Sequence, residues 1–150
     1  MLEQQILRLY RMLRLLAYRK MFGTIHEKKG SLSATEAFSA DVIHLLGTPT
    51  MSQFAAYLGV SQPNATYKVS SLVAKGYVQK TVPEEDRREV RLQTCGKFNS
   101  YFEEQSERVT RAIASLGEDY TPEQLQTAAE VLAALVVRID VREEKTDGHL

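Results

Sequence analysis

The sequence predicts a mostly α-helical chain interrupted by one small β-hairpin. Apolar residues recur at helical spacing, between Ser/Thr starts and Gly stops, over most of the 150 residues. One stretch, about 77–94, is instead rich in strand formers around a charged turn. A third observation points to function. Between Thr50 and Pro83 there is no Asp or Glu, only Lys68, Lys75 and Lys80. An ordinary solvated surface mixes both signs, so this region is prepared to meet something negative.

A length of 150 residues favours one domain, or one domain plus an assembly element, and is enough for a core. The formal net charge is zero but unevenly spread. Residues 1–30 carry seven Lys/Arg against two acids, whereas residues 98–150 carry five against eleven. Such asymmetry hints at an anionic partner on one side. The single cysteine, Cys95, excludes an intrachain disulfide and fits a reducing cytoplasm. Arg14, Arg19 and Lys20 interrupt the apolar residues near the start, so no signal-peptide core is expected. No apolar run approaches the roughly 18 residues of a membrane span. The expected localisation is therefore cytoplasmic, with no membrane partner.

The elements follow in order. Over about 2–28, Ile6, Leu9/Tyr10, Leu13, Leu16/Ala17 and Met21 keep helical spacing, with arginines opposite. Ser33–Glu36 is a capping box, in which Ser and Glu satisfy free backbone N–H groups reciprocally. The helix it starts runs to about Leu46, with Phe38, Val42 and Leu45 expected inward, and stops at Gly47. Thr50–Gln53 is a second capping box, opening a short helix with Met51, Phe54/Ala55 and Leu58 apolar. Gly59 suits a left-handed stop. Ser61 caps the next helix, to about Lys75, and Gly76 ends it. Tyr77–Val82 and Glu89–Thr94 are the two strands of a hairpin around Pro83–Arg88. A long helix follows over about 96–116, with Phe98, Phe102, Val109, Ile113 and Leu116 in phase. Thr121-Pro-Glu-Gln124 then combines a capping box with Pro at the first helical position. The last helix reaches about Val141, and residues 143–150 are expected to be a flexible tail. The middle of this order is a helix-turn-helix followed by a β-wing.

On a helical wheel at about 100° per residue, Ala65, Val69 and Leu72 share an inward face with Ser61 at its edge. Pro63, Asn64, Tyr67, Ser70 and Ser71 lie opposite, flanked by Thr66 and Lys68. That outward face is polar, mostly short, and uncharged or basic. A major groove about 12 Å wide admits one helix, whose N-terminal side chains reach base edges. Gln62 and Asn64 have the amide geometry for bidentate contact to adenine, and the Thr66 methyl can meet a thymine methyl. The free N–H groups after Ser61 can hold a phosphate. Pro63 removes one of them at no helical cost.

Residues from about 33 to 97 resemble the winged helix-turn-helix of the MarR (multiple antibiotic resistance regulator) family of bacterial transcription factors. The resemblance rests on "TMSQFAAYLGVSQPNATYKVSSLVAKGYV" and on "PEEDRREVRLQTCGK". The second follows the family's wing pattern of Asp, any residue, Arg, then alternating apolar residues and Thr. The flanking helices agree in number and order. Ala65 replaces a more usual Val, and Cys95-Gly96 replaces a usual polar pair. The resemblance implies a homodimer whose first and last helices, about 1–30 and 98–142, intertwine, and which sets two recognition helices in successive major grooves of double-stranded DNA. It implies that residues 61–68 read DNA, that Arg88 reaches the minor groove, and that Asp86 holds the wing's turn. Arg87 is expected on phosphate. The family also often binds a small-molecule effector between the dimer helices and the DNA-reading lobe, where Phe22, Phe38, Val42 and Phe98 would line an apolar crevice.

The expected function is a DNA-binding regulator, a repressor on a pseudo-palindromic operator. The alternative is a winged-helix protein–protein module without DNA. An enzyme is not expected: there is no Gly-rich phosphate loop, nucleophile elbow or metal-ligand cluster. No cofactor and no metal site are assigned. Asp41 and His44, spaced i,i+3 with His26 upstream, fit a hydrogen-bonded helical pair better than zinc. Cys95 falls at a strand–helix junction and is not assigned a redox role.

Overall fold

The structure is a computed structural model that describes residues 1–24 and 31–139, with the side chains of Lys20, Thr24, Lys97 and residues 100–105 outside that description. His26, Phe102 as a packing residue, the expected helical residues 25–28 and 140–142, and the tail 143–150 lie outside the described residues.

The elements are α1 (Leu2–Thr24), α2 (Ala34–Leu46), α3 (Met51–Leu58), α4 (Gln62–Ala74), β1 (Val78–Thr81), β2 (Arg91–Thr94), α5 (Gly96–Ser115), a 3₁₀ turn (Leu116–Glu118) and α6 (Pro122–Arg138). The fold is mostly helical with one two-stranded antiparallel sheet, as the sequence predicts. The chain divides into two compact units, Met1–Glu103 and Glu104–Leu150.

In the first unit, helix starts form where the capping residues stand. Ser33 and Thr50 each close a reciprocal capping box, with Glu36 and Gln53. Ser61 accepts from the Asn64 N–H at 3.3 Å. Phe54, Ala65, Val69, Leu72, Val78, Leu92 and Ile43 form a dry core, with Met21 and Phe98 joining it from α1 and α5. The inward face of α4 is therefore Ala65, Val69 and Leu72, as its wheel predicts.

The phase of α2 differs from expectation. Phe38 is 49% and Leu45 71% exposed, and Val42 is half-buried. Ala37, Ala40 and Ile43 are buried instead. This helix carries two adjacent apolar stripes, and its neighbour chooses between them. The buried stripe carries small residues at 37 and 40, and α2 packs against α4 and β2, where small side chains allow close approach.

The hairpin pairs Val78 with Thr94 and Thr81 with Arg91, so its strands are shorter than the expected 77–82 and 89–94. A third backbone segment docks on β2. Leu92 donates to the Pro49 carbonyl at 2.8 Å, and Met51 donates to that of Val90 at 3.1 Å. The wing is thus hydrogen-bonded to the residues that start α3. The chain reaches this position through Thr48 at φ 61°, a left-handed conformation costly for a β-branched residue.

In the second unit, Gly117 lies within the 3₁₀ turn, and Thr121 and Gln124 form the predicted capping box behind Pro122. No residue of α6 is buried. Val136, Val137 and Ile139 are 62%, 77% and 65% exposed.

Candidate nucleic-acid interface

The helix-turn-helix is made by the turn Leu58-Gly59-Val60-Ser61. Gly59 at φ 64° occupies the left-handed region that glycine enters without cost. Its N–H and that of Val60 donate to the Ala56 and Ala55 carbonyls, both at 3.1 Å. Val60 packs against the core. Ser61, with extended backbone, then turns the chain into α4.

On α4, Gln62, Pro63, Asn64, Thr66 and Tyr67 are exposed, and Tyr67 is 80% exposed. Lys68 is half-buried. The Thr66 hydroxyl donates to the Gln62 carbonyl at 2.9 Å, and Ser70 does the same to Thr66 at 2.8 Å. Two expectations are corrected. The first turn of α4 does not offer several free N–H groups. Pro63 has none, Asn64 donates to Ser61 Oγ and Ala65 to the Ser61 carbonyl, so only that of Gln62 lacks a partner among the described residues. Ser71 does not belong to the outward face either, and Lys75, one of the three cations of the acid-free stretch, is turned inward as well. Both bond to Glu36 of α2, and Lys75 Nζ also donates to the Ser31 carbonyl at 2.9 Å. The cations left to this surface by the acid-free stretch are Lys68 and Lys80.

At the wing, Asp86 Oδ1 accepts from the Arg88 N–H at 3.0 Å, and the Asp86 carbonyl accepts from Glu89 at 3.2 Å. The carboxylate closes the turn and leaves Arg87 and Arg88 exposed. Glu89, which is half-buried, is paired with Arg91 at 2.8 Å.

Helix and wing meet around a cleft of about 390 Å³. Gln62 and Thr66 line it from α4, Thr50, Met51 and Ser52 from the start of α3, and Lys80, Arg88, Glu89 and Val90 from the hairpin. The structure thus gathers Gln62, Thr66 and Arg88 around one depression and adds Lys80, Thr50 and Ser52, which sequence reasoning did not place in the site. Lys80 had a signal, the acid-free window itself. Thr50 and Ser52 had none, because their position depends on the strand pairing at 49–51.

The other candidates differ in burial. Phe98 is buried in the core, Val42 packs against it, and Phe38 and Phe22 are exposed, Phe22 by 77%. His44 Nδ1 lies 3.2 Å from Thr94 Oγ1, and its ring lies 6.1 Å from that of Phe98. Burial pushes the neighbouring Asp41 carboxyl up, against the opposing pull of His44. Cys95 Sγ donates to the Gly76 carbonyl at 3.4 Å. Among the described residues no three metal-donor side chains cluster, and no helix is long and apolar enough to cross a membrane.

A capped helix with a polar outer face, set beside a hairpin wing that exposes Arg87 and Arg88, defines a winged helix-turn-helix protein. Residues 41–89 match the model of the MarR family. No curated protein sequence matches the chain significantly. The fold is similar to that of FabT from Streptococcus pneumoniae, solved in complex with DNA (21% identity, 91% of this chain and 96% of that one, TM-score 0.52). It is also similar to the MarR-like transcriptional regulator TM0816 from Thermotoga maritima (22% identity, 89% and 96%, TM-score 0.50). RV1404 from Mycobacterium tuberculosis is a third (15% identity, 91% and 90%, TM-score 0.54).

Proposed function

We propose that this chain is a sequence-specific DNA-binding transcriptional regulator, acting as a repressor by occupying a pseudo-palindromic operator as a homodimer. The observation that carries this reading is the cleft between α4 and the wing, where Gln62 and Thr66 stand beside Lys80 and Arg88. The exposed helix reads bases in the major groove through Gln62, Asn64 and Thr66. The cleft takes the adjoining sugar–phosphate backbone, and Arg88 at the wing tip enters the narrow, negative minor groove. The DNA complex of the similarly folded FabT supports the same reading.

A dimer is favoured by the exposed apolar residues of α1 and α6. Leu9 and Leu13 are 53% and 41% exposed, and Leu132 and Ile139 46% and 65%. Such surface is costly to leave in water. An effector that releases DNA would act by binding one spacing of the two recognition helices better than the other. This is an equilibrium binding function, not an enzymatic one.

Enrichment of bound fragments from random duplexes at stated salt tests the reading. A single inverted-repeat motif should emerge, with affinity falling linearly in log–log salt plots. Salt-independent capture of proteins and no duplex preference would favour the protein–protein module instead.

A further inference from the structure

We propose that Glu36 is a positioning residue for DNA reading: with Ser71 and Lys75 it forms a polar clamp that sets how α4 presents its outward face. The inference rests on the proposed DNA-binding function. The Glu36 carboxylate has three partners on two elements. Oε2 accepts from the Ser33 N–H at 2.7 Å, completing the α2 capping box, and from Lys75 Nζ at 2.7 Å. Oε1 accepts from the Ser71 hydroxyl. Lys75 Nζ is held a second time by the Ser31 carbonyl at 2.9 Å. The side chains of Glu36 and Lys75 are only 16% and 29% exposed, so the pair is partly withdrawn from water, where charge-assisted bonds are strong and directional.

The clamp sits where the reading helix has no other polar anchor among the described residues. The N-terminal end of α4 is set by Ser61 and by the turn from α3. Along the helix its core contacts are Ala65, Val69 and Leu72, all apolar. Apolar packing fixes which face of α4 is buried but is non-directional, so it sets small rotations about the helix axis less tightly than hydrogen bonds do. Ser71 and Lys75, one turn apart at the C-terminal end, supply two directional bonds to one carboxylate. They lock the rotation that decides whether Gln62, Asn64 and Thr66 meet base edges squarely.

The two jobs of Glu36 separate cleanly. Gln serves a capping box as well as Glu does, but it has no charge to hold Lys75. The experiment compares wild type, E36Q, K75Q and the double variant on a DNA site selected by the wild type. Binding is measured well below each unfolding midpoint, at several salt concentrations and on single-base variants of the site. Amide hydrogen exchange is followed in the same proteins.

E36Q and K75Q should each lower affinity by about five- to twenty-fold, with the double variant no worse than the weaker single. Base preferences should flatten while the salt slope stays that of the wild type. In E36Q, exchange should speed up at residues 71–75 but not in the first turn of α2. Wild-type base preferences in E36Q would overturn the clamp. So would a salt slope lowered in K75Q alone, which would make Lys75 a phosphate ligand. If the wild type selects no duplex, the DNA-binding reading fails by itself. Exchange then judges the clamp, and unchanged rates at 71–75 in E36Q refute it.

Discussion

In the proposed DNA-binding function, Asn64 and Arg88 stand on opposite sides of a division of labour between bases and backbone. Asn64 is exposed on the first turn of α4, while its N–H is spent on Ser61 Oγ, so its amide is the group left for contact. Asn64→Ala should cost about 1–3 kcal/mol on the preferred site and relax choice at one base position. Its salt slope should hardly move, because no charge is lost. Arg88→Ala and Lys80→Ala should instead weaken binding to most sequences and lower the salt slope by about one per half-site. Titrations on a panel of site variants at several salt concentrations measure both. A residue-scale prediction about stability concerns Thr48, held at φ 61°. Asn tolerates the left-handed region, so Thr48→Asn should raise stability by about 0.5–1 kcal/mol, read from the urea midpoint.

At the scale of elements, the α2–α4 contact carries a pH signature. Partial burial alone would push the Glu36 carboxyl up, but the Lys75 ammonium, the Ser71 hydroxyl and the Ser33 N–H outweigh it and hold it at about 2. A carboxyl lowered in the folded state adds stability that is complete above the ordinary range near 4.5 and drains away as pH falls toward 2. The contribution is at most about 3 kcal/mol, trimmed by solvent around Lys75. Urea unfolding between pH 2 and 5 should therefore be steeper in pH for the wild type than for E36Q. Equal slopes would remove Glu36 as the cause. Much of this scale was legible in the sequence. Capping boxes at Ser33, Thr50 and Thr121 use residues within three positions of each other, so local spacing suffices to find them. The phase of α2 was not legible, because two apolar stripes compete there and only the packed neighbour decides.

At the scale of the whole molecule, the exposed apolar residues of α1 and α6 call for a partner. Sedimentation at micromolar concentration should show twice the mass of the 16.9 kDa chain. Leu13→Glu with Leu132→Glu should shift the population toward monomer and lower operator affinity by more than tenfold, since two half-sites would no longer bind together. A monomer that binds the full site as tightly as the wild type would refute the dimer.

The sequence by itself determined the order of helices, the hairpin between them, and the buried face of α4. Those depend on spacing along the chain: caps, glycine stops and the period that put Ala65, Val69 and Leu72 in the core. It also marked Gln62, Asn64, Thr66 and Arg88 as exposed polar groups on helix and wing. Only the tertiary structure decided the rest. It took Ser71 out of the outward face, and Lys75 out of the cations free to meet a negative partner, by bonding them to Glu36, 35 and 39 residues away. It brought Thr50 and Ser52 to the cleft through the pairing of residues 49–51 with β2. The physical reason is the same in both cases. A lysine or a serine reads alike in sequence whether it faces a carboxylate or water, and the distance to a partner far along the chain exists only once the core has closed.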